Sequence, residues 1–84
     1  MRDAAMAIGE ALSNNERLRR LVLDSGLPWP VALTIFNRGL GSAAISVSHW
    51  RGLLDEPGSE RFRALDDRLL QHAQQQFAKI GVRI

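Results

Sequence analysis

The chain contains no cysteine. Disulfides and thiolate metal sites are thereby excluded as sources of stability, and the absence fits an intracellular compartment. Long hydrophobic runs are missing too: nothing in the sequence approaches the roughly 20 apolar residues that a membrane span needs. The apolar patch at residues 4–8 is bracketed by Asp3 and Glu10, too brief and too acidic at its edges for a signal peptide. A soluble cytoplasmic protein is expected, with no membrane partner. Lysine is nearly absent, since ten of the eleven cationic residues are arginine and Lys79 is the exception. Arginine's planar fork matches phosphate and guanine edges as an ammonium cannot, although a GC-rich genome would produce the same bias. Acids, finally, are missing from one whole stretch: none occurs from Ser25 to Leu54.

What is present suits one small helical domain. A chain of 84 residues is read as a single domain, 1–84, that buries about 60 to 65% of its unfolded surface, so each large apolar side chain counts. The net charge of +2 names no partner alone; where the charge lies says more. Met6, Ile8 and Leu12 are spaced for a helical turn or two in the N-terminal segment 1–13, weakened by Gly9. Asn14 or Asn15 is placed to cap the next helix, about 16–25, with Glu16 at its positive end. Leu18, Leu21 and Val22 make its buried stripe, with Leu23 near the edge, and Gly26 ends it. Arg17, Arg19 and Arg20 fall largely on the other side, as an ordinary solvated face or as contacts to DNA phosphate.

Residues 28–54 concentrate the information. Trp29 lies between Pro28 and Pro30, so it should be extended and the second helix should open at Pro30. That helix, about 30–38, is apolar nearly all round through Val31, Ala32, Leu33, Ile35 and Phe36, as expected for packing on several sides. Gly39 closes it and Gly41 loosens the link that follows. Residues 42–49 alternate as a strand would, which would imply a β-ribbon reader. Over 42–54, Val47, Trp50 and Leu54 recur at i, i+3, i+7, and Ser42 or Ser46 can cap. Helix is the preferred expectation. Asp55-Glu56-Pro57-Gly58-Ser59 stops it. Leu65, Leu69, Leu70, Ala73, Phe77 and Ile80 then predict a long closing helix over 60–80, with Asp66 and Asp67 favouring its first turn. The fold class expected is all-α, with four to five short helices.

Two short helices joined by a bend, the second rich in polar groups, suit a reader of DNA. The candidate DNA-binding residues are Asn37, Arg38, Ser46, Ser48, His49 and Arg51. Arginine bidentate to guanine is the commonest specific contact, and a serine hydroxyl bonds base or phosphate while letting a helix approach closely. The plain alternatives are exposed polar residues for Arg51 and His49, and helix caps for the serines. Trp50 reads as core rather than as a stacking platform, and His72 as a satisfied boundary histidine. His49 and His72 are the only histidines, on different helices, so no metal site is expected. No nucleophile with its base, phosphate loop or carboxylate pair stands out, so neither an enzyme nor a cofactor is expected.

Helix, Gly, Leu, short helix, turn, Val47-Ser48-His49-Trp50-Arg51-Gly52 and a closing helix together resemble the Cro and phage-repressor (Xre-like) helix-turn-helix family. The likeness covers about residues 16–80. It rests on Ser25-Gly26-Leu27 at the entrance of the second helix, on Ala32 where the family prefers a small residue, and on the 47–52 hexapeptide. It implies a helix-turn-helix core over 28–54, with Val47 and Trp50 inward and Ser48, His49 and Arg51 toward the groove or its phosphate walls. Two departures stand out. Ala32 and Val47 are fifteen positions apart, more than the family usually has, so the turn should be longer or the second helix extended. Pro28 occupies the place of a phosphate-binding glutamine in many members, and Asn37 and Arg38 are candidates to replace it.

The expected function is that of a sequence-specific regulator of transcription, a repressor acting on double-stranded DNA as a homodimer, with its third helix (about 42–54) in the major groove. No small-molecule ligand is indicated. The alternative is a helical protein-interaction module, such as an antitoxin, adaptor or phage-encoded inhibitor, docking mainly through Trp29 and Phe36. Asp55, Glu56 and Glu60 beside the proposed reader keep that alternative open.

Overall fold

The computed structural model describes residues 12–82. The helical turns expected near the N-terminus lie outside the described residues, apart from Leu12 and Ser13. The described chain is all-helical: α1 (Asn14–Ser25), α2 (Trp29–Asn37), α3 (Val47–Leu54) and α4 (Asp67–Ala78), with a short 3-10 turn at Gly41–Ala43 between α2 and α3. Among the described residues there is no strand, and no helix is long and apolar enough to cross a membrane.

Helix α1 begins two residues earlier than its apolar spacing predicts, because Ser13 rather than an asparagine caps it. The Ser13 hydroxyl accepts from the Glu16 N–H, and the Glu16 carboxylate accepts from the Ser13 N–H (2.9 Å), a reciprocal capping box. Asn14 and Asn15 are thereby freed for other partners. The helix ends at Gly26, whose left-handed backbone (φ 69°) turns its N–H back to the Leu23 carbonyl. Leu18 and Leu21 are fully buried, while Leu23 is exposed.

Helix α2 starts one residue before Pro30. Extended Pro28 serves as its cap, and its carbonyl accepts from the Val31 and Ala32 N–H groups (both 3.0 Å). Trp29 is therefore the first helical residue and not an extended one. Ala32, Leu33, Ile35 and Phe36 face the core. After Arg38, which leaves the helix in extended conformation, Gly39 takes a positive φ (82°).

Helix α3 is shorter than the sequence predicts: it opens at Val47, capped by Ser46, whose hydroxyl accepts from the His49 N–H (3.1 Å). Residues 42–46 lie outside it. Trp50 and Leu53 are fully buried, but Val47 is half exposed and is not Trp50's inward partner. Val47 occupies the first position of the helix, beyond the edge of the core, and Ile45 before it packs on the core instead. The last helix is also shorter. Asp66 caps it by accepting from the Leu69 N–H (2.8 Å), so α4 starts at Asp67 and residues 60–66 form a non-helical arm.

All four helices, with Leu65 from the arm, contribute to one apolar cluster. Trp50 and Phe36 are tilted against each other at 5.1 Å between centroids, and His72 meets Phe36 edge-on at 5.5 Å. The Trp50 indole N–H donates to the Trp29 carbonyl (3.2 Å), and His72 Nε2 donates to the Phe36 carbonyl (2.6 Å). His72 is therefore the satisfied boundary histidine that its spacing predicts.

Candidate nucleic-acid interface

The link between α2 and α3 is held by one side chain. Asn37 donates from its amide nitrogen to the Ile45 carbonyl (3.1 Å), and its amide oxygen accepts from the Ile45 N–H (3.0 Å). That pair of bonds closes the link across Arg38 to Ala44 and sets where α3 begins. Asn37 is half buried in this role; Arg38, next to it, is exposed.

Helix α3 presents its faces unequally. At about 100° per residue, Trp50 and Leu53 point to the core, and Val47, Ser48 and Arg51 share the opposite, exposed face. His49 falls on the far side of the helix from Arg51 and is half buried. The structure thus brings Ser48 and Arg51 together and leaves His49 apart from them. Ser46 is exposed at the helix N-terminus, with its hydroxyl already accepting from the His49 N–H.

Arg61 completes this face. Two shallow hollows adjoin: one lined by Val47, Ser48, Arg51 and Arg61, the other by Trp29, Arg51, Leu54, Asp55 and Arg61. Both contain the two arginines. The Arg51 guanidinium lies over the Trp29 ring, 5.3 Å from its centroid, a cation–π arrangement. Arg61 comes from the arm, which the apolar stripe of the last helix assigns instead to that helix.

The arm lies against α3 because of Gly52. A Cβ at this buried position would overlap the Arg61 carbonyl oxygen and come within 2.6 Å of Arg63 Cγ. The Arg63 N–H donates to the Gly52 carbonyl (3.0 Å), and the Arg61 N–H donates to the Ser59 hydroxyl (3.1 Å). An isolated glycine inside a helix is a known sign of close backbone approach. In Trp50-Arg51-Gly52-Leu53 that was the one signal pointing toward Arg61.

The acids near this face are partly engaged. Asp55 accepts from the Glu56 N–H (3.2 Å) and from the Ser59 hydroxyl (2.9 Å). Arg19, far from being free on α1, donates to the Asp55 carbonyl (2.9 Å) and places a cation at the C-terminal end of α3. Among the described residues no group of His, Asp or Glu is arranged to hold a metal ion.

To this point the described residues define a small all-helical fold in which α3 exposes an arginine-bearing face, and of its two hollows the one lined by Val47, Ser48, Arg51 and Arg61 has no carboxylate. Comparison with family models, with curated proteins and with solved structures gives no match.

Proposed function

We propose that the protein is a sequence-specific regulator of transcription, a cytoplasmic repressor of the helix-turn-helix type that binds double-stranded DNA. In this reading α2 braces against the backbone and α3 enters the major groove. One observation carries it: Val47, Ser48 and Arg51 form an exposed ridge along α3, joined by Arg61, in a hollow with no acidic residue in its lining. A small hydroxyl, an apolar methyl pair and guanidinium groups match the hydroxyl, thymine-methyl and guanine or phosphate contacts found in major grooves. Arg38, exposed at the end of α2, is suited to backbone contact. Asn37 then acts through the α2–α3 link rather than on the nucleic acid. A helix of eight residues makes few contacts, so useful affinity calls for a homodimer on half-sites about one DNA turn, roughly 34 Å, apart.

Arg51→Ala is expected to weaken duplex binding about tenfold or more while lowering stability only slightly, by about 0.5 to 1 kcal/mol through the lost contact with Trp29. Gel-shift titration beside a melting curve checks this. Unchanged affinity would remove α3 from the interface.

A second reading, a protein-interaction module, draws on the exposure of Trp29 (38%) and Val31 (44%) at the start of α2. Phe36 is fully buried and drops out of any such docking face. Binding to DNA should fall log-linearly with salt, whereas apolar docking on Trp29 and Val31 should scarcely respond.

A further inference from the structure

We infer that Arg51 and Arg61 act together as a clamp on one backbone phosphate of the bound duplex, with Trp29 as the residue that positions the Arg51 guanidinium. The inference rests on the DNA-binding reading above and changes what Arg51 does within it: it grips the phosphate wall rather than reading a base.

Three observations lead there. The two arginines come from different segments, α3 and the arm, yet both line the same two hollows. An anion bound in a hollow that two cations line is attracted by both and offsets their mutual repulsion. Arg51 is also drawn sideways: its guanidinium lies over Trp29, at the start of α2, which turns it to the flank of α3. A planar fork fixed on an aromatic face loses less freedom when it binds phosphate than a free one does. Arg61, finally, projects from a tethered backbone. Its own N–H is bonded to Ser59, and the Arg63 N–H and carbonyl are bonded to Gly52 and Asn15. The Arg51 guanidinium and the backbone that carries Arg61 are thus held in place before any ligand arrives.

The occupied hollow is the one lined by Val47, Ser48, Arg51 and Arg61. Its neighbour includes Asp55, which would repel an anion. In the first, the Ser48 hydroxyl adds a third donor, and base reading is left to Val47 and the residues at the start of α3.

A phosphate contact is blind to sequence, so no operator is needed to test it. The probe is a mixed-sequence duplex long enough for two half-sites, titrated by fluorescence anisotropy over a series of salt concentrations. Arg61→Ala and Arg51→Ala should each weaken binding on the order of tenfold at low salt. The double substitution should lower the log–log salt slope by about one, because one phosphate is released. Trp29→Leu should reproduce part of the Arg51→Ala loss in the wild-type background and add nothing once Arg51 is alanine. A loss of folding alone would not give that dependence. A slope change of about two would mean two separate phosphates and would overturn the clamp. So would Arg61→Ala binding as the unaltered protein does, or a slope that stays put while base preference changes in Arg51→Ala.

Titrating the free protein with inorganic pyrophosphate, followed by the Arg51 and Arg61 Nε–H signals in NMR spectra, separates the two levels. Joint shifts in a protein that binds no duplex would keep the phosphate site and retire DNA as its source. No shift and no duplex binding would retire both.

Discussion

Three backbone groups meet on the amide of Asn15. Its nitrogen donates to the Leu53 carbonyl (2.9 Å) and the Arg63 carbonyl (2.7 Å), and its oxygen accepts from the Leu65 N–H (3.0 Å). Asn14 beside it reaches the Leu65 carbonyl and the Asp67 carboxylate. One buried side chain on α1 therefore joins the end of α3 to the arm carrying Arg61. Removing it would leave all three groups without their partner, each costing about 1 to 3 kcal/mol when buried. Asn15→Ala should thus lose on the order of 3 kcal/mol, a large part of the roughly 4 to 12 kcal/mol available to a chain of this length. Urea denaturation measures it. Asn15→Asp should not rescue the loss, since a carboxylate would face two carbonyl oxygens with nothing to donate. An asparagine pair just before an amphipathic stripe is most simply read as a helix cap, and its long-range partners leave no local trace in the sequence.

At the scale of the element, capping decides where these helices begin. Glu16 lies below its ordinary pKa of 4.5, chiefly because its carboxylate accepts the Ser13 N–H, with the Ser13 hydroxyl, Arg19 and Arg20 adding to the effect. A lowered carboxylate pKa stabilises the fold above the unfolded value, and that contribution disappears as pH falls through the folded one. The stability difference between the protein and its Glu16→Gln variant should therefore be present at neutral pH and vanish well below pH 4.5; parallel urea titrations at the two pH values check it. The apolar spacing of α1 and α2 was enough to place them within two residues, and Gly26 marked its own helix end. The starts of α3 and α4 were not legible in that way. Periodicity carries on through Ala43 and Leu65 although neither is α-helical, because the segment before α3 is tied to Asn37 and the arm before α4 lies on Gly52.

At the scale of the whole molecule, none of the helices among the described residues has a core of its own. Phe36 from α2, Trp50 from α3 and Phe77 from α4 close over Leu18 and Leu21 of α1, all fully buried. Unfolding should then be a single cooperative event. In a Trp29→Phe variant, the fluorescence of Trp50 and the far-UV helical signal should lose amplitude at the same urea concentration. Separate midpoints would mean that α3 detaches before the rest. The all-helical class and most of this core were legible from apolar spacing. The exposed face was legible only in part. Ser48 and Arg51 stand three apart on α3, whereas Arg61 arrives through tertiary contact and His49 is carried round to the far side by helical geometry.

The apex Glu56-Pro57-Gly58 is exposed, and the chain is pinned on both sides of it, by Arg19 on the Asp55 carbonyl and by Gly52 on the Arg63 N–H. Loop-closure entropy grows only slowly with added length. Here the polypeptide offers a natural splice point, where a peptide tag or a dye could be introduced without disturbing what lies on either side.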